Sequence, residues 1–295
     1  MTVPETLDAE VVLRVRAVVG EGPVWDERIN RLVWVDIMAK AVHVLDPSSG
    51  HDRAIDLGMP VGAAALRERG GLVLALQDGF AVLDQELRNL RWVARVEEAA
   101  GTTRMNDGKA DPAGRFWAGT MAFDETPGQG ALYRLDPDYR LTQVVTNVTI
   151  SNGLDWTLDN RQMYYIDSPI QHVDAFDYDL ASGALGNRRH VLSIPKEVGL
   201  PDGMTLDAEG GLWVALHGAG KVHRYLADGR LDRVVAVPAR MVTSATFGGP
   251  DFADLYITSM TSGMSVEALE AEPLAGSVFR CRPGVRGRAP FRFAG

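Results

Sequence analysis

The sequence predicts an all-β protein, a six-bladed β-propeller in which an N-terminal strand closes the last blade. Three observations carry this expectation. Gly and Pro punctuate the chain at short intervals, and the runs between them are short and rich in Val, Leu and aromatics, as strands are. The runs also recur: a turn rich in Asp, Gly or charge is followed roughly six residues later by an apolar-aromatic strand, then by a second strand. Successive starts lie about 40 to 50 residues apart, the repeat length of propeller blades.

The repeats begin at Asp26, Arg67, Asp111, Asp159, Asp207 and Asp251, and within them Trp34, Trp117, Tyr165, Trp213 and Tyr256 fall at nearly equivalent places. A four-stranded blade cannot bury both its faces alone, so six of them must pack around a common axis. The strand-like run 11–19 precedes the first repeat. It is expected to form the outer strand of the last blade, which closes the ring and hides two sheet edges. An open β-sandwich is the competing arrangement, and the regular period argues against it. Closed all-β folds often exceed 200 residues as one unit, so residues 1–295 read as a single propeller domain.

Composition narrows the partners. With 295 residues, 46% hydrophobic and 23% charged, the chain has an ordinary globular make-up and the length for a large core. Its formal net charge is -9 and its 30 Lys and Arg are scattered. Phosphate binding needs clustered cations, so neither nucleic acid nor an anionic membrane is an expected partner. A small ligand or a metal ion suits the balance better. The only cysteine, Cys281, excludes an internal disulfide and a thiolate zinc cluster, and reads as a small buried hydrophobe. No apolar run approaches the roughly 20 residues of a membrane helix. The first residues lack the basic-then-apolar plan of a secretory signal, so a cytoplasmic location is expected.

One stretch asks for a further explanation. Residues 201–216, PDGMTLDAEGGLWVAL, carry two turn signals where one hairpin needs one. Five residues before the repeat starts stand Glu21, Asn106 and Asp202, and in the fourth blade Asn152 stands seven before Asp159. Each lies next to a glycine or one residue from it: Glu21-Gly22, Asn106-Asp107-Gly108, Asn152-Gly153, Asp202-Gly203. The second and sixth blades offer only Gly62 and Thr246 at this phase. Asn-Gly and Asp-Gly are common turn dipeptides, and one alone would be structural. Four in register on separate blades predict oxygen-bearing side chains gathered at one axial mouth.

Glu21, Asn152 and Asp202 would then supply two carboxylates and an amide oxygen. This hard-oxygen set suits one divalent ion (Ca²⁺, Mg²⁺, Mn²⁺ or Zn²⁺) with positions left open for water and substrate. Facing carboxylates repel unless a cation lies between them. Arg104, two residues before Asn106, would lie beside that amide and could hold a substrate carbonyl or hydroxyl. Lys109 reads as a solvated strand-edge lysine. The six His residues are scattered and none stands at the axial phase, which counts against a His-based metal or general-base site. Gly-Ala-Gly-Lys at 218–221 lacks the spacing of a phosphate loop, and there is no Gly-x-Ser-x-Gly elbow.

The blocks EGPVWD, RMNDGKADPAGRFWAGTM, SNGLDW, VDAFDYDLASG, PDGMTLDAEGGLWVA and FGGPDFADLYIT, with the closing GRAPFRFAG, resemble the regucalcin and gluconolactonase family. Other names in that family are senescence marker protein and luciferin-regenerating enzyme. The resemblance runs from Glu21 to the C-terminus. It implies a six-bladed propeller with one axial divalent metal and hydrolysis of sugar lactones. Carried over, the family's metal ligands fall on Glu21, Asn152 and Asp202, and its substrate-binding residues on Arg104 and Asn106. After the AGTMA block, where the family has a Glu that contacts sugar hydroxyls, this chain reads Phe123-Asp124, so Asp124 is the expected substitute. The implied reaction is metal-assisted opening of an aldono-lactone to its aldonic acid, with Asp202 as general base. A calcium-binding regulator and an organophosphate or aryl-ester hydrolase are the rival readings of the same mouth.

Overall fold

The computed structural model describes residues 4–96 and 101–295. Six antiparallel sheets follow one another along the chain, spanning 20–56, 61–95, 103–148, 151–193, 200–236 and 242–281. In each, four strands run in simple succession except the last, whose fourth strand is Glu10–Leu13, paired antiparallel to Val278–Cys281. The expected closure is thus present, with a shorter strand than the run 11–19. A feature not read from the sequence lies just before it. Glu5–Asp8 pairs in parallel with Leu231–Ala236, giving the fifth blade a fifth strand.

The blades cohere through six apolar clusters, each formed between two neighbouring sheets. Trp34, Trp117, Tyr165, Trp213 and Tyr256 are all fully buried there. Two turns show how the repeat-starting aspartates act. Asp111 Oδ2 accepts from the Trp117 indole Nε1 at 2.9 Å, and Asp207 Oδ2 accepts from Trp213 Nε1 at the same distance. The other oxygen of each accepts turn N–H groups from Arg115 and Gly211, both at 2.8 Å. One side chain therefore closes the turn and fixes the buried indole, which is why Asp and Trp recur six apart.

The first strand of every blade faces the axis. All six of these strands break register against their neighbour early, at 21–24, 61–63, 105–108, 151–154, 201–204 and 242–245. The Asp202-Gly203 pair is therefore a bulge inside a strand, where the sequence suggested a second turn. Bulges re-aim side chains without ending the strand. Glycine is demanded by crowding at the axis. A Cβ on Gly153 would lie 2.6 Å from the Met204 nitrogen, and one on Gly203 would lie 2.2 Å from Ser244 Oγ.

Residues at the bulge starts line one axial cavity, and residues beyond the bulges, such as Lys109, Asp155 and Leu206, line another. The inner strands thus enter the axis from the same end. The opposite end is covered by residues 286–294. These touch the first blade through Arg292–Asp26 (3.0 Å), the second through Phe293 N–Leu66 O (2.8 Å) and the third through Ala294 N–Gly114 O (3.0 Å). They reach the fourth through Arg288–Asp155 (2.6 Å), the fifth through Ala208 N–Arg286 O (2.8 Å) and the sixth through Gly287 N–Phe252 O (2.8 Å). No helix among the described residues is long and apolar enough to cross a membrane.

Candidate metal centre

The mouth of the axis opens into a cavity on which the inner strands converge. Glu21, Arg104, Asn106, Asn152 and Asp202 all line it. Strand geometry brings these residues together from four blades. Each polar residue stands at or beside a bulge, so its side chain turns toward the axis while the rest of the strand keeps its apolar packing. Glu21 reaches the cavity from one register position earlier than Asn106, Asn152 and Asp202. Asp26 is still paired in its strand, whereas Asp111 and Asp207 follow theirs. The left-handed φ of +51° at Gly22 turns the chain immediately after it.

Charge in the cavity is unbalanced. Glu21 and Asp202 are each under 9% exposed. Burial raises both carboxyl pKa values well above the ordinary range, and the repulsion of Asp202 and of Asp107 adds to that of Glu21. Asp107, absent from the sequence-based site, is itself raised by burial. Arg104 is the only cation among the causes acting on both carboxylates, and burial lowers its own pKa. Its guanidinium donates to Asn106 Oδ1 at 2.7 Å, while Asn106 Nδ2 donates to the Ser151 carbonyl at 2.8 Å.

Asn152 is held by two groups on the same cavity wall, Ser168 and the Asp202 carboxylate, to which its side chain also hydrogen-bonds. Its Nδ2 donates to Ser168 Oγ at 3.0 Å, and that hydroxyl donates to the Pro201 carbonyl at 2.6 Å. Its Oδ1 is buried and has no partner, a rare and costly state for an amide oxygen. Two crowded carboxylates and an orphaned amide oxygen are what a divalent cation would satisfy, so the residues fit one. Among the described residues no three His, Cys, Asp or Glu side chains form a ready-made cluster. The amide of Asn152 stands outside that set, and the Glu21 carboxylate is folded back onto the Gly22 N–H at 2.8 Å.

Ser168 is one of the two groups that orient the amide. Ser168→Ala should therefore weaken Ca²⁺ or Mn²⁺ binding about 10-fold, the lower end of the effect of groups that orient ligands. Isothermal titration of metal-stripped protein measures this, and unchanged affinity would remove the positioning argument.

Four expectations are corrected here. Asp124 does not line the cavity; it is exposed and its Oδ1 accepts from the Thr126 N–H at 3.1 Å, closing a turn. Glu125, at a left-handed φ of +58°, faces the cavity instead. Lys109 is no solvated edge residue. Its Nζ lies 3.1 Å from Asp155 Oδ2 and 2.9 Å from the Met204 carbonyl, inside the second axial cavity. A histidine does reach the site. His217, the last residue of Leu212–His217, lines the cavity with Nδ1 3.7 Å from Asp202 Oδ2, and burial lowers its pKa. In the sixth blade the bulge presents Thr243 and Ser244, not Thr246.

The second cavity, about 700 Å³, is the weaker candidate. Asp155 is matched there by Lys109 and Arg288, the latter at 2.6 Å, and these charges with two backbone N–H groups hold its pKa down to about 2 despite burial. Asp155 is thus matched already, which leaves Asp107 as the remaining carboxylate on the wall of this cavity.

Comparison with known proteins gives the same direction. Regucalcin of Gallus gallus is 44% identical over 283 residues, 94% of this chain and 95% of that protein. A crystal structure of a calcium-binding protein, regucalcin, from Agrobacterium tumefaciens superposes with a TM-score of 0.95 at 26% identity, covering 99% of this chain and 100% of that one. Luciferin-regenerating enzyme superposes with a TM-score of 0.87 at 34% identity, covering 95% and 96%. The family model described as SMP-30/Gluconolactonase/LRE-like region matches residues 19–261. The chain belongs to the SMP-30/gluconolactonase/LRE-like family.

Proposed function

We propose that the protein is a divalent-metal-dependent lactonase that opens a sugar lactone to the open-chain acid. The observation that carries this reading is the convergence of Glu21, Asp202 and the unpartnered Asn152 oxygen beside the Arg104–Asn106 pair. Membership of a family whose name includes gluconolactonase supports it. Glu21, Asn152 and Asp202 hold the cation, which when bound supplies Lewis acidity for a carbonyl oxygen.

The chain's own residues do the rest. Arg104 and Asn106 bind and orient the lactone through its oxygens, converting a bimolecular encounter into a positioned one. Arg104 also donates hydrogen bonds where negative charge develops. Asp202 accepts a proton as water adds to the carbonyl carbon, and a proton passes to the ring oxygen as the acyl C–O bond breaks. The products are a carboxylic acid and an alcohol on one chain, so one water is consumed per ring opened. Glu125, rather than Asp124, is the acid placed to meet a sugar hydroxyl, because it faces the same cavity.

The test is a pH-stat panel of aldono-lactones on metal-stripped protein, with Ca²⁺, Zn²⁺, Mn²⁺ and Mg²⁺ restored in turn. Metal-dependent acid release supports the lactonase. Tight metal binding with no lactone opened would support the calcium-binding reading. Hydrolysis confined to aryl esters or phosphoesters would support the third.

The titrations of Glu21 and Asp202 give a separate expectation for the metal-free protein. Well below pH 4 both are neutral in folded and unfolded chains and contribute no repulsion. As pH rises the unfolded chain ionises first, because burial and mutual repulsion raise the folded-state values. The folded state then binds more protons, and stability falls with pH. The melting temperature of metal-stripped protein should fall as pH rises above about 4, the unfolded carboxyl range, and saturating Ca²⁺ or Zn²⁺ should remove most of that fall. A flat metal-free profile would contradict the electrostatics described here.

A further inference from the structure

We propose that His217 donates a nitrogen to the cation and biases the centre toward zinc-type ions over calcium. The inference rests on the metal-binding reading of this same mouth and adds a fourth donor to it. His217 comes from a second strand, not an inner one, and ends that strand where it meets the cavity. Its Nδ1 is buried without a hydrogen-bond partner, like Asn152 Oδ1 in the same cavity. A neutral imidazole nitrogen with its lone pair unmet is as unfavourable as an unmet amide oxygen. The two orphans therefore ask for one shared occupant.

Distance agrees. Two ligands each about 2.1 Å from one ion lie about 3.0 Å apart in octahedral and about 3.4 Å apart in tetrahedral arrangement. The observed 3.7 Å from His217 Nδ1 to Asp202 Oδ2 exceeds these by about 0.7 and about 0.3 Å. Glu21, Asp202 and His217 form no ready-made cluster among the described residues, so binding requires these side chains to rotate inward, Glu21 leaving the Gly22 N–H. Two carboxylates, one amide oxygen and one imidazole make a four-donor set of the kind zinc accepts. Calcium takes hard oxygen ligands and gains little from a ring nitrogen.

Metal-stripped protein titrated with Ca²⁺ and with Zn²⁺ by calorimetry tests this, comparing wild type, His217→Leu, His217→Asn and Asn152→Ala. Both His217 variants should bind Zn²⁺ at least about 10-fold more weakly while Ca²⁺ affinity changes by no more than about 2-fold. Asn152→Ala should weaken both ions. The wild-type protein loaded with Co²⁺ should also show a paramagnetically shifted, exchangeable imidazole N–H resonance, a readout that needs no variant to fold. Equal effects on both ions, unchanged Zn²⁺ affinity, or no shifted resonance would overturn the role of His217 while leaving the oxygen ligands intact. If wild type binds neither ion, the metal centre falls, and His217 as a donor falls with it.

Discussion

Asp202→Asn should lower lactone turnover by about 10²–10⁴-fold and at the same time raise the melting temperature of the metal-free protein at neutral pH. The two effects have one origin. Asp202 is buried against Glu21 and Asp107, so its ionised form is unfavourable in the folded chain. Asparagine keeps an oxygen at that position and the shape of the side chain. It removes the charge that Glu21 and Asp107 repel, and it removes the atom that accepts the proton from water. One deleted charge thus costs activity, because the proton acceptor is gone, and relieves the folded state of an unfavourable carboxylate, a trade common at functional sites. Initial rates on the best lactone, alongside thermal melts of stripped protein, decide the matter. Near-normal turnover would exclude Asp202 as the base, and a lowered melting temperature would exclude the electrostatic account.

Asp111→Ala should cost about 3–5 kcal/mol of folding free energy with little change in turnover per folded molecule. Asp111 is completely buried. Its oxygens accept from Trp117 Nε1, the Tyr178 hydroxyl at 2.7 Å, and the N–H groups of Ala113 and Arg115. Arg115 is paired to it at 3.2 Å and is itself nearly buried. Truncation leaves an indole N–H and two turn N–H groups without their acceptor in one buried place, while Arg115 loses its nearer carboxylate and keeps Asp136 at 3.6 Å and the Leu180 and Ala181 carbonyls. The residue sits at the far end of the third blade from the mouth, so the site has no reason to respond. Chemical denaturation and steady-state kinetics on the same preparation check both halves. A loss below about 1 kcal/mol would mean that water replaces the missing oxygens.

The period of Asp and Trp was legible because one chemical device, an aspartate gripping a turn and an indole, recurs in the third and fifth blades. Glu21, Asn152 and Asp202 were legible for a related reason: glycine is needed wherever an inner strand meets its neighbour at the axis, and the polar residue travels with it. What counting could not supply was the exact register. The first hairpin turn is one residue shorter than those at Asp111 and Asp207, so a fixed offset reached Glu21 at a different position from Asp202. The longer sixth-blade turn moved Thr246 into the place of Thr243. Asp124 and Glu125 differ by one residue, and a left-handed backbone at Glu125 decides which of them faces inward. Direction of that kind is invisible to spacing. His217 was hidden because it lies on a second strand, whose run LWVAL reads as ordinary core. Lys109 departs from its expected place because an axial channel, unlike a sheet edge, can half-bury a lysine beside an aspartate.

Ring closure has a consequence for how the protein is made. Residues 5–16 leave the ribosome long before their partners: Glu10 meets Arg280, 270 positions later, and the covering segment at 286–294 follows that. These strands must therefore wait, unpaired, while the blades between are made, a state in which edges invite wrong partners. Glu5, Asp8, Glu10, Arg14 and Arg16 punctuate that waiting segment and remain exposed in the finished ring. Their charge keeps the segment soluble and unattractive to other chains until its own partners emerge.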